Sequence, residues 1–166
     1  TTHPFYIPDS NILVTRFLTA EGVAEVHDFM PVLKPRDEDH HQRVVRRVVA
    51  VRGTTTIRTR LTARPDYARG GVTTTAVEGG VLIEGGDLRM GPCSTADLEI
   101  ADGTVTAEVT LSGKQEALFV LQVLDEDEDL EPEAVEDTAE LFHRTAEFWR
   151  DWLAQSTYTG RWREMV

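Results

Sequence analysis

Cysteine is almost absent from this chain. Cys93 stands alone, so no internal disulfide can form and no cysteine-based metal cage can be assembled. A single thiol leans towards a reducing compartment, and a cytoplasmic location is the expectation. Long apolar runs are missing too. Nothing approaches the roughly 18 residues of a membrane span, and no basic-then-apolar leader opens the chain, so no membrane partner is expected. Lysine is scarce, with arginine supplying fifteen of the seventeen basic residues. Tryptophan does not occur before position 149; Trp149, Trp152 and Trp162 all fall within the last 18 residues.

Positive charge is outweighed over the chain as a whole. The net charge is −12, a poor match to a phosphate backbone whose binding depends on Lys and Arg neutralisation, so no nucleic-acid partner is expected. The imbalance is concentrated late: residues 125–166 hold thirteen acids against four bases, the first 124 sixteen against thirteen. Residues 43–69 are a local exception, with eight arginines and one acid, Asp66. Their alternation with Val, Ile and Leu reads as the wet face of a sheet, with an anion-holding patch as the rarer alternative.

What is abundant is period-two patterning. Ile12–Leu18 and Val23–Phe29 read as a hairpin across Thr19–Gly22, and Val44–Val51 and Thr55–Ala63 as a second hairpin around Arg52-Gly53-Thr54. Short strands follow at Val72–Val77, Val81–Glu84 and Leu88–Met90, with turns at Gly79-Gly80 and Gly85-Gly86. Ala96–Ile100 and Thr104–Leu111 turn at Asp102-Gly103. In the latter run Val105, Ala107, Val109 and Leu111 share a face. Ala117–Leu124 is apolar almost throughout. Nine or ten such strands predict a mainly β fold, an antiparallel β-sandwich over 1–124.

The composition switches at Asp125. Residues 125–130 read as a solvated acidic linker, and 131–154 as one long C-terminal α-helix with Pro132 in its first turn. At about 100° per residue, Val135, Ala139, Phe142, Ala146, Trp149 and Leu153 form one stripe, and Leu141, Phe148 and Trp152 a second. Two stripes predict a helix held between the β-domain and a further body. Residues 155–166 read as the start of a truncated α-helical domain, since a helix opening at Arg161 is too short to persist alone. Leu141, Phe148, Trp152 and Trp162 are therefore the expected interdomain or dimer interface, and the chain reads as a piece of a larger protein. Thr1 in place of Met points the same way.

Chemistry is harder to find. His40-His41 after Asp37-Glu38-Asp39 is a nominal metal cluster, more simply a polar loop. No H-E-x-x-H, no C-x-x-C, no phosphate-cradling glycine loop and no nucleophile elbow occurs, and no cofactor is expected. With 29 acids, no carboxylate pair is singled out for glycoside hydrolysis. Tyr67, after Arg64-Pro65-Asp66, is a candidate sugar contact.

One resemblance gathers these motifs. Tyr6-Ile-Pro8-Asp9-Ser10-Asn11-Ile12-Leu13-Val14-Thr15-Arg16-Phe17, then Gly22 and Asp28-Phe29-Met30-Pro31, resembles the N-terminal β-domain of bacterial glycoside hydrolase family 15 proteins, the glucoamylase-like and trehalase-like enzymes. Arg46 to Val51, Pro65-Asp66-Tyr67, Phe148-Trp149-x-x-Trp152 and Tyr158-x-Gly160-x-Trp162 follow in the same order. The resemblance implies a super-β-sandwich that lacks its first strands here, a linking helix, and an (α/α)6 barrel that hydrolyses α-glucosidic bonds with inversion. Its two catalytic glutamates would lie beyond Val166, so no catalytic residue is assigned to this chain. The partners implied are that missing barrel, an α-glucoside for the parent, or a second copy bound through the Trp-bearing helix.

Overall fold

The computed structural model describes residues 2–32, 42–130, 138–158 and 160. Ten antiparallel strands and one C-terminal helix account for most of them. In chain order these are β1 (Thr2–Tyr6), β2 (Leu13–Leu18), β3 (Gly22–Phe29), β4 (Arg43–Leu61), β5 (Thr73–Val77), β6 (Gly80–Gly85), β7 (Leu88–Ser94), β8 (Glu99–Ala101), β9 (Thr104–Ser112), β10 (Glu116–Leu124) and α1 (Thr138–Ala154). Eight strands form a large sheet in the order β1-β2-β3-β4-β10-β7-β6-β5, and the second half of β4 pairs with β9, which pairs with β8.

β4 corrects the expected second hairpin. Val44–Val51 and the run from Thr55 are one 19-residue strand. Its first half pairs with β3 and β10, and its second half, Thr54–Leu61, pairs with β9. Gly53 sits at the join with φ +68°. A type I′ hairpin turn needs positive φ at both central residues, and of Arg52, Gly53 and Thr54 only Gly53 has it. The chain therefore kinks instead of reversing. A register shift between Val23 and Ala24 lies opposite, and Gly22 faces Gly53, a bulge that increases local bend and carries β4 from one sheet into the other.

The large sheet is covered on both faces. On one side the short sheet packs Ala107 and Leu111 against Val26, Val48, Ala50 and Phe119, so the layers meet as a sandwich does. On the other side Leu141 and Ala146 of α1 close over Ile12, Phe29, Val45 and Val120. β1, which the sequence pattern did not reveal, is exposed at every position and contains Pro4.

Two threonines help to seat α1: Thr138 and Thr145 are 1% and 0% exposed, and the Val32 N–H donates to Thr145 Oγ1 at 3.1 Å. The first seven residues of the expected helix, 131–137, lie outside the described residues. So do His40-His41 and most of the polar loop around them, and the expected helix from Arg161 with Trp162.

Candidate functional site

The C-terminal turns of α1 present two exposed aromatic rings. Phe148 is 42% and Trp152 49% exposed. Trp149 stands between them, edge-on to both, at 5.4 Å from Phe148 and 5.8 Å from Trp152. Its indole Nε1 is buried with no hydrogen-bond partner among the described residues. Leu141, expected with them at the interface, is instead 7% exposed and part of the core against Phe29 and Val45.

The reason is directional. Leu141, Phe148 and Trp152 follow one line along the helix, within about 40° of each other at 100° per residue. The sheet covers that line at Leu141 and no longer covers it at Phe148. The two exposed rings thus continue a buried stripe, and a body covering them would sit beside the sheet, not on the helix's opposite face. Trp162 lies outside the described residues.

Tyr67 occupies a different element, the turn Pro65–Ala68 that leads towards β5. It is 89% exposed, with the Arg69 guanidinium 5.3 Å from its ring centre. Asp66, Tyr67 and Ala68 have φ of 45°, 56° and 62°, three successive non-glycine residues in the left-handed region. Such a conformation costs on the order of 1–2 kcal/mol per residue and persists only where the surroundings impose it.

Three arginines of the run, Arg46, Arg47 and Arg58, form cross-strand ion pairs. Arg46 Nε and Nη2 donate to the two carboxylate oxygens of Asp28 at 2.7 and 2.9 Å; this hydrogen bonding outweighs burial and holds the guanidinium pKa above its usual value. Arg47 pairs with Glu116 at 2.5 Å and Arg58 with Glu108 at 2.6 Å. Arg47 also lies 5.9 Å from the Phe142 ring centre, so its contact with α1 is through an aromatic face and not an acid.

The acidic linker is not a free tether. Arg89 Nη1 donates to the backbone oxygens of Asp125, Glu126 and Glu128 at 2.6, 2.8 and 3.0 Å, and its Nε reaches Glu84 at 3.2 Å. Sequence reading had no signal for this clamp, since Arg89 looks like any outward strand residue. A second missed feature is a cleft of about 320 Å³ between the sheets, lined by Thr15, Phe17, Val26, Asp28, Arg46, Val48 and the Thr56–Thr59 segment of β4.

Among the described residues, no cluster of three or more His, Cys, Asp or Glu is placed to hold a metal ion, and no helix is long and apolar enough to cross a membrane. No family model matches the sequence, and no curated protein matches it.

Proposed function

We infer that this chain is the non-catalytic β-sandwich part of a hydrolase acting on α-glucosidic bonds, of the glucoamylase- or trehalase-like type, and that it docks on an α-helical catalytic barrel through Phe148 and Trp152. The observation that carries this reading is the aromatic pair continuing a buried helical stripe past the edge of the sheet. Aromatic side chains of this kind dominate contact energies when a partner covers them. The ordered motif resemblance supplies the identity of the partner. Cys93, buried and the one cysteine of the sequence, fits a cytoplasmic parent.

Two measurements test it. Sequencing of the coding DNA downstream of the Val166 codon is expected to reveal a long helical segment; a stop codon there overturns the docking reading. Purified protein is expected to give no turnover of trehalose, maltose or starch, and turnover that Phe148→Ser and Trp152→Ser leave intact after removal of contaminating hydrolases overturns the non-catalytic role.

Tyr67 favours a second reading, a carbohydrate-binding module. An exposed ring on a left-handed turn offers a face for a pyranose, and calorimetry with maltose and trehalose checks it. Heat that vanishes in Tyr67→Ala supports the module; no heat with any glucan removes it. The same aromatic pair on α1 could instead join two copies, which sedimentation of wild type against Trp152→Ser distinguishes.

A further inference from the structure

We propose that the free edge of β4, from Thr55 to Leu61, is a site of strand addition that takes an extended peptide segment with apolar residues on its inward side and acidic residues on its outward side. This half of β4 pairs with β9 on one side; on its other side the Thr54 N–H donates to the Glu21 carbonyl oxygen at 3.3 Å, and beyond that point no described strand pairs with it.

The chain's other edges are less open to pairing. β1 carries Pro4, β8 has three residues and β5 has five. The β4 edge runs through eight registered pairs with β9 without a shift. It contains no proline, and Thr55, Thr56, Ile57 and Thr59 suit an extended chain. Of the devices that normally blunt an edge, proline, short length and bulges are absent here, and charge is present only as Arg58 and Arg60, which an acidic strand would neutralise.

The space beside the edge is already shaped. The short sheet ends at β4, while the large sheet continues beneath it through β3, β2 and β1. The 320 Å³ cleft lies there, with Phe17, Val26 and Val48 beside Thr15 and the mutually paired Asp28 and Arg46 on its large-sheet side, and Thr56, Ile57, Arg58 and Thr59 on the edge side. A strand added at the usual ~4.8 Å spacing would extend the short sheet over this floor, and its inward side chains would fill the cleft.

Charge settles the outward side. Arg58 and Arg60 lie on the outer face of β4, and the Arg58 side chain is 76% exposed even while paired with Glu108. Acidic residues on the added strand would stand directly beside both arginines. A second copy adding its own β4 would bring Arg58 and Arg60 of two chains together, which disfavours self-pairing. The proposal stands apart from the docking of α1, because it uses neither Phe148 nor Trp152.

The test uses a fluorescein-labelled synthetic peptide, Glu-Val-Thr-Val-Glu-Val-Thr-Val-Glu, and two N-methylated forms, one blocked at even and one at odd amides. Fluorescence anisotropy should show saturable binding of the parent peptide. One methylated form should bind like the parent and the other roughly tenfold or more weakly, about 1.4 kcal/mol, because only alternate amides face the ladder. Arg58→Glu with Arg60→Glu, confirmed folded by circular dichroism, should weaken the acidic peptide and favour a lysine-bearing analogue. No binding up to about 1 mM, equal weakening by both methylation patterns, or indifference to charge reversal each overturns the proposal. Sedimentation showing a β4-dependent dimer would assign the edge to a second copy and overturn it as well.

Discussion

Phe142 of α1 stands edge-on to Phe29 of β3, with 5.5 Å between ring centres and 83° between ring planes. The same ring stacks on His27 at 5.8 Å. It is therefore the main wedge between helix and sheet, in the geometry that aromatic quadrupoles favour. Phe142→Ala should lower stability by about 2–4 kcal/mol, the range for truncating a large core side chain at a site that only partly collapses. Urea unfolding followed by far-UV circular dichroism checks this. An unchanged midpoint would mean that α1 is appended to the sheet without being part of its cooperative unit.

Gly53 and Gly86 have nearly the same backbone conformation, φ +68° and +60°, in different surroundings. A Cβ at Gly53 would run into the Glu21 carbonyl oxygen, whereas one at Gly86 meets nothing within 4 Å. Gly86→Ala should then cost only the left-handed penalty, about 1 kcal/mol. Gly53→Ala should cost at least about twice that and disturb the bend that sends β4 into the second sheet. Paired thermal melts of the two variants measure the difference. Equal losses would mean that the bend is set elsewhere.

That bend marks where sequence reading stopped being sufficient. The alternation of Val105, Ala107, Val109 and Leu111 shows which face of β9 is buried, and Asp102-Gly103 shows where the chain reverses, because both signals are local. Val44–Val51 and Thr55–Ala63 are equally periodic, but periodicity is the same for a hairpin and for one bent strand. Which strand lies alongside decides between them, and here β9 and β10 take the neighbouring positions. The helix shows a second limit. The expected stripes left Thr138 and Thr145 out; both are buried on the same side as Leu141, and that side is the one the sheet covers. Phe148 and Trp152 were legible as an apolar stripe, whereas the Arg89 clamp and the cleft under β4 arise from residues far apart in sequence.

Arg89 fastens the start of the acidic segment to the sheet through three backbone oxygens. Hydrogen bonds from a charged donor are worth about 1.5–3 kcal/mol net each at most, and three sharing one nitrogen will give less than their sum. Arg89→Met keeps the apolar stem and removes every donor. Global stability should fall by about 1–2 kcal/mol, with amide exchange accelerating from Asp125 to Leu130 more than in the core of β10. Exchange that rises evenly across the chain would argue against a local clamp.

Glu25 provides the acid-side prediction. Burial pulls its carboxyl upward, but hydrogen bonds from His27 and Arg16, with the Arg16 charge, outweigh that pull and hold it below its ordinary value. His27 Nε2 lies 3.1 Å from one carboxylate oxygen, and Arg16 Nε donates to the other at 2.8 Å. A group whose pKa is depressed by folding contributes stability above the range in which the unfolded carboxyl titrates. It loses that contribution as pH falls through the folded value. For a glutamate this places the loss below roughly pH 4.3. Because His27 also stacks on Phe142, the loss should reach the seat of α1. Melting temperatures of wild type and Glu25→Gln, compared between pH 7 and pH 3, should differ at the upper end and converge at the lower. A gap that persists at pH 3 would show that Glu25 acts through shape and not through its charge.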